Sequence, residues 1–261
     1  MRKRLAAVAA AAMVPVGGLL LLPSGAVGPP AAAQDSPASV DNSSAPTVEL
    51  EDTRLKFELN ATDQDAGVQV FLDGEPWEQM KIFDPNGRLI FRSSAKASIG
   101  ETGLTELFME SSEPELSELP LEELLERFPA GEYRFEGRGV DGERLVGTAV
   151  LTHDLPDGPT LVSPIEGDPA QDPANTTVVW EPVAPPNGSP IIGYQVIVED
   201  PETGLTALPK VILDVMMPPT ATSLAVPPGF LMPDTEYEWE VLAIEQGGNQ
   251  TLSSSAFTTA P

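Results

Sequence analysis

The segment LMPDTEYEWEVLA, Leu231 to Ala243, constrains the fold more than any other part of the chain. Leu231, Pro233 and Thr235 stand at two-residue steps before Tyr237. This is the tyrosine-corner arrangement, in which the ring packs inward and the hydroxyl bonds back to the chain a few residues upstream. From Tyr237 the residues alternate, which puts Tyr237, Trp239 and Val241 on one face of a strand. Upstream, Trp180 ends the apolar run TTVVW and Tyr194 sits in the alternating GYQVIVE; downstream, Asn249 closes a GGN turn. Seven short strands separated by Pro and Gly turns are expected: TLVSP, TTVVWEP, IIGYQVIVED, LPKVILDVM, TSLAVP, TEYEWEVLAIE and LSSSAFTT. Together they fit a β-sandwich.

The order and spacing of these residues resemble a fibronectin type III domain over about Pro159 to Thr259. The resemblance implies an immunoglobulin-like sandwich with Trp180, Tyr194, Tyr237 and Trp239 at core positions. It implies no ligand, because domains of this kind serve as spacers, adhesive modules and accessory domains. The cell-binding tripeptide RGD is absent, and the loop EQGGNQT between the last two strands is short and polar.

Residues 47–154 read as a first, β-rich domain. RLKFELN (Arg54 to Asn60) and GVQVFLDG (Gly67 to Gly74) alternate as strands, the second ending in a turn. EQMKIFDPNGRLIFRS gives two strands joined at Asp84-Pro85-Asn86-Gly87. GLTELFMES (Gly103 to Ser111) is open between strand and helix. LPLEELLERF is a helix: Pro120 suits its first turn, Leu121, Leu124, Leu125 and Phe128 share a face, and Pro129 stops it. A hairpin turning at Asp141-Gly142 follows, and it looks like the last two strands of an immunoglobulin-like module. The whole run is similar to the N-terminal region of uncharacterised secreted bacterial proteins that end in a fibronectin type III domain, a likeness that brings no activity with it. DLPDGP (Asp154 to Pro159) is the joint; short and Pro-bearing, it predicts a stiff, end-to-end arrangement of two tandem β-sandwich domains, 47–154 with a short helix and 159–261.

The N-terminus carries an address. Arg2, Lys3 and Arg4 precede an apolar stretch, Leu5 to Leu22, broken by Pro15, Gly17 and Gly18, and Ala31-Ala32-Ala33 offers a small-residue cleavage site before Gln34. Residues 1–33 therefore read as a secretory signal peptide and 34–46 as a disordered leader rich in Pro, Ala and Ser. The alternative is an uncleaved anchor, since the apolar run is near the lower limit for a span. The internal Pro and Gly residues favour cleavage, and a secreted or periplasmic location with no membrane attachment thereafter. The chain has no cysteine, which excludes thiol catalysis and cysteine-ligated metals and fits a bacterial product.

Removal of residues 1–33 leaves eleven basic against 40 acidic residues, a net charge of −29. Past Arg144 the sole basic residue is Lys210. Such a field repels nucleic acid and anionic lipid and would favour cations or basic partners, but solubility in a salty or calcium-rich exterior, where ions screen the self-repulsion, is the preferred reading.

Residue patterns for catalysis are sparse. His153, the single histidine, has no G-x-S-x-G or H-E-x-x-H beside it, so a surface or joint-packing role is expected. No G-x-G-x-x-G or phosphate loop points to a nucleotide cofactor. Carboxylates are too abundant for any pair to signal a glycosidase. Trp77, in DGEPWEQ, is either a binding aromatic or, preferably, a core-capping one. NATDQDAG offers Asp63, Asp65 and Gly67 in the D-x-D-x-G order of a calcium loop, with Asn60 and Asp73 near in sequence. The rest of the calcium pattern fails, with Gly74 where the bidentate Glu should stand, so a turn bonding its own backbone is the preferred reading. The sequence thus predicts a non-catalytic exported protein without catalytic, cofactor or metal residues, an interaction module for a protein or surface polysaccharide. The alternatives are a structural spacer or accessory subunit of a surface assembly, and an enzyme with its site in the N-terminal domain. A binder requires a cleft or aromatic patch around Trp77 and the helix 120–128; a spacer requires none.

Overall fold

Among the residues that the computed structural model describes, 45–200 and 210–261, the first strand starts at Thr47. The signal-peptide reading of 1–33, and the leader as far as Ser44, lie outside the described residues. The protein is mainly β. In the N-terminal half the elements are β1 (Thr47–Glu49), β2 (Asp52–Asn60), β3 (Asp65–Phe83), β4 (Leu89–Ser94), α1 (Ala97–Thr102), β5 (Leu104–Glu110), α2 (Leu121–Arg127), β6 (Gly131–Gly139) and β7 (Arg144–Leu151). The ambiguous GLTELFMES is a strand, and the helix LEELLER runs where its apolar face places it, with Pro120 at its N-cap.

β3 departs from expectation. Two strands and a turn at Gly74–Trp77 are expected; one strand of 19 residues runs through instead. Its first part pairs with β2 and β5, its last part with β6 and β4, so it passes from one layer of the sandwich to the other. The turn-like residues serve that crossing. Gly74 lets the backbone approach Leu50, whose Cδ2 would lie 2.7 Å from an added Cβ. Pro76, which has no N–H to give a ladder, falls in the gap where β5 pairing skips from Asp73 to Trp77. Trp77 itself is fully buried, with Phe57, Leu72, Met80, Ile82, Tyr133, Phe135 and Leu145. That is the preferred core reading of this tryptophan, and it removes Trp77 from the list of binding aromatics.

All seven expected C-terminal strands are present: β8 (Leu161–Ser163), β9 (Thr177–Trp180), β10 (Ile191–Asp200), β11 (Val211–Met217), β12 (Ser223–Ala225), β13 (Glu236–Glu245) and β14 (Gln250–Thr258). A three-stranded sheet, β12-β9-β8, faces the four strands β14-β13-β10-β11. Trp180, Tyr194, Tyr237 and Trp239 are buried together between them with Val196, Val198 and Val241. The corner is formed: the Met232 N–H donates to the Tyr237 hydroxyl over 2.9 Å. Tyr194 receives the Val183 N–H in the same way at 2.9 Å, and the Trp239 indole donates to the Pro164 carbonyl at 2.8 Å.

The joint differs from the end-to-end expectation. β14 pairs in parallel with β2, Gln250 beside Glu58, Thr251 beside Leu59 and Leu252 beside Asn60. One eleven-stranded sheet therefore runs through both halves, each half keeping its own apolar core, and residues Ala45–Pro261 cluster as one unit. The physical reason is that both strands would otherwise end their sheets with unpaired N–H and C=O groups. Asn249 closes the seam. Its Oδ1 accepts the Phe57 N–H (2.9 Å), and its Nδ2 donates to the Thr152 hydroxyl (2.9 Å) and to the carbonyls of Thr152 and Asp154 (3.2 Å each). Thr251 Oγ1 donates to the Pro156 carbonyl at 2.7 Å, so DLPDGP lies along the seam. Gly158 fits there because it has no side chain; a Cβ would stand 2.4 Å from that of Ala61.

Candidate functional site

The open side of the N-terminal sandwich holds a groove. β4 and β5 each pair with β3 alone among the described residues, so each leaves one strand edge free. Between these two edges lies a cavity of about 740 Å³. Its floor is the core face of β2 and β3, at Leu55, Val68 and Val70; Ile90, Phe91 and Met109 wall it, and Leu119, Leu124 and Phe128 close it from the side of α2. The helix is there because Leu121, Leu124 and Leu125 pack on the core while Glu122, Glu123 and Arg127 face water, with acid in the first turn and base in the last as the helix dipole favours.

Arg88 and Arg127 also line the groove. Each has a carboxylate beside it, Asp84 at 3.4 Å and Glu123 at 2.6 Å, yet both side chains are more than half exposed. Asp84 is fixed by the DPNG turn, where its Oδ1 accepts the N–H groups of Asn86 (3.0 Å) and Arg88 (2.8 Å) and Gly87 takes the positive φ the turn needs.

At Glu110 the groove adjoins a carboxylate cluster. One oxygen each of Glu58, Glu110 and Glu113 lie within 4.8 Å of one another. Gly67 makes the room: an added Cβ would meet the Glu113 Cγ at 2.8 Å. Burial, then the charges of Glu110, Glu58 and Asp65, push the Glu113 carboxyl up to about 7. Burial raises Glu58 as well, against the hydrogen bond it accepts from Gln250. Gln69 donates to Glu110 at 2.7 Å, and Lys56, lowered by burial, donates to Gln250 at 2.6 Å. Three carboxylates of this kind have the donors to hold a small hard cation. They are equally satisfied by a proton shared near neutrality, with the two glutamine amides supplying hydrogen bonds.

The other sequence candidates fall elsewhere. His153 Nε2 lies 2.9 Å from the Phe128 carbonyl and its ring meets Phe57 edge-on, a packing role beside the joint. Asn60 Oδ1 accepts the N–H groups of Thr62 and Asp63, both at 2.9 Å, so the loop bonds its own backbone. Asp65 and Asp73 both belong to β3, eight residues or about 26 Å apart along the strand. Asp73 is therefore no part of that loop. Burial, with Asp63 and Glu115 nearby, raises Asp65.

Sequence reasoning did not single out Glu58, Glu110 or Glu113. Glu58 has the opposite parity from Leu55, Phe57 and Leu59, which marks it as facing away from the core and no more. The fold over of Glu113 onto Gly67 has no local sequence signal.

The three-on-four strand order, the buried aromatics and the tyrosine corner define the C-terminal half as a fibronectin type III-like β-sandwich. No protein-family profile matches the chain, and no curated protein matches it. Among solved structures it is similar to the fibronectin(III)-like modules of Clostridium thermocellum CbhA, at 10% identity over 81% of this chain and 93% of that one, with a TM-score of 0.33. It is also similar to the FN1–FN3 domains of chicken CNTN1, at 14% identity over 83% of this chain and 66% of that one, with a TM-score of 0.32. Superposition this loose adds nothing to the fold assignment, which rests on the chain's own geometry.

Proposed function

We propose that the protein is an exported, non-catalytic interaction module, secreted or periplasmic, whose domains at 47–154 and 159–261 are held as one body by the β2–β14 seam. The observation that carries this reading is the groove beside α2, because a binder needs a cleft there and a spacer does not. A concave, mostly apolar site with a few charged groups on its rim is the usual form of a binding site. Its partner is a protein or a surface polysaccharide; the net charge of the processed chain, −29, argues against nucleic acid and anionic membrane surfaces. No described helix is long and apolar enough to cross a membrane.

The enzyme alternative would rest on Glu58, Glu110 and Glu113, since a carboxyl near 7 is poised for proton transfer. No histidine or serine nucleophile–base pair accompanies the trio among the described residues. The lone histidine is engaged with Phe128. The export half of the proposal is tested by mass spectrometry of the extracytoplasmic fraction, which should give an N-terminus at or near Gln34; intact Met1 in the cytoplasm refutes it. The binding half is tested by passing surface extract over the immobilised protein and over its Ser112→Trp variant, which blocks the groove mouth. A spacer retains nothing in either case.

A further inference from the structure

We propose that the groove takes an extended apolar segment of a partner protein, added as a strand along the free edge of β4 and flanked by carboxylates. The inference deepens the interaction reading and rests on it. Three observations meet here. First, the unpaired edge of β4 presents N–H and C=O groups over six residues, about 20 Å, and a strand of similar length would satisfy them. A hydrocarbon chain could use none of these groups.

Second, the groove beside that edge is apolar and open to the core. A strand aligned on β4 sends alternate side chains toward Ile90, Phe91 and Met109, and the intervening ones to solvent. Leu89, on the same edge, is 45% exposed, which natural edge strands ordinarily avoid. Third, two of the three charged residues that line the groove are basic, Arg88 and Arg127 against Glu110, in a chain in which acid outnumbers base nearly threefold, 40 residues to 14. Each guanidinium has five donors, and the carboxylate beside it occupies only part of that fork. A partner carboxylate can therefore share either arginine, whereas a lysine at the same place would meet it as a like charge.

The test is fluorescence anisotropy on the purified full-length protein with a labelled library of nine-residue peptides that alternate Val, Ile, Leu or Phe with Ser or Thr. One set ends in Glu at both termini, one in Lys, and one carries a central Pro. Members of the Glu set should bind at least tenfold tighter than their Lys counterparts, and the Pro set should not bind. Arg88→Glu with Arg127→Glu, both exposed positions, should invert the Glu-over-Lys order, and Ser112→Trp should abolish binding. Amides of Leu89 to Ser94 should become slower to exchange with solvent when peptide is bound. The proposal is overturned if no library member binds more tightly than about 1 mM, if central Pro is tolerated, if β4 gains no protection, or if laurate displaces the peptides as a better ligand. A dimer that forms through this face and is broken by Ser112→Trp would also overturn it, since a second copy would then be the occupant. Retention of a surface component by a protein that fails these tests would leave the interaction reading standing and the groove assignment refuted.

Discussion

Asn249 should contribute strongly to the stability of this protein. It is fully buried and makes four side-chain hydrogen bonds: one to the backbone of β2 and three to the stretch leaving β7. In Asn249→Ala, the Phe57 N–H loses its acceptor in a buried site, at a cost of about 1–3 kcal/mol. The two carbonyls and the Thr152 hydroxyl lose their donor, adding on the order of 1 kcal/mol each where water cannot replace it. Where water replaces none of them the expected loss is about 4–6 kcal/mol, a large share of the roughly 5–15 kcal/mol that holds a typical domain folded. Urea unfolding followed by tryptophan fluorescence reads it directly, since Trp77 lies in one core and Trp180 and Trp239 in the other.

Asn249→Asp sharpens the test. It keeps the acceptor for Phe57, but a carboxylate oxygen would face the carbonyls of Thr152 and Asp154. Only the protonated acid can donate to either, so the folded-state pKa of the new aspartate must rise above its ordinary value of about 3.9. A raised carboxyl pKa contributes stability at low pH that is lost as pH increases. Measured against wild type at each pH, the variant should be near normal around pH 4 and markedly weaker by pH 8. A loss below about 1 kcal/mol for the alanine variant, or an aspartate variant whose deficit does not grow with pH, would refute the reading of Asn249 as the closure of the seam.

Tyr237→Phe strips the acceptor from the Met232 N–H and should cost about 1–2 kcal/mol; an unchanged denaturant midpoint would mean that the corner bond is not made in solution. Glu113 holds its proton up to about pH 7 when folded and only to about 4.5 when not, so it favours folding at low pH and this contribution fades between those values. Glu113→Gln should therefore flatten the decline in urea midpoint from pH 5 to pH 8, and an unaltered decline would show the carboxyl to be solvated. Calcium titration in moderate salt should reveal no saturating site that Asp65→Asn removes, because Asn60 is already engaged with its own backbone and Asp73 is far along β3; calorimetry showing one such micromolar site would reverse that conclusion.

What was legible in the sequence is what local chemistry decides. The corner at Leu231–Tyr237, the alternation of β10 and β13, the DPNG turn and the amphipathic Leu121–Arg127 each carry their own signal within a dozen residues. What was missed depends on partners far away. Gly74 and Pro76 have turn chemistry, but pairing with β2, β5 and β6 on either side of them draws the chain straight through as one strand. α1 has no capping side chain at Lys96 to announce it. The seam joins residues about 190 positions apart, and nothing in the alternation of β2 or β14 tells an edge that will be paired from one that will not. The groove follows from two such edges being left over, so only the helix beside it was visible beforehand.

The parallel pairing of β2 with β14 also sets an order in time. A chain synthesised from its N-terminus presents β2, β3 and β7 early, while the strand that must cover the outer edge of β2 is among the last to arrive. Until Gln250 to Leu252 emerge, Glu58–Asn60 is a bare strand edge beside a core that is otherwise complete. Contacts of such long sequence separation form slowly, and an uncovered edge pairs with whatever strand it meets. A chain cut short before β14 (Gln250–Thr258) would keep that edge open permanently, so the loss of that one C-terminal strand should first be felt as self-association through the opposite end of the sequence.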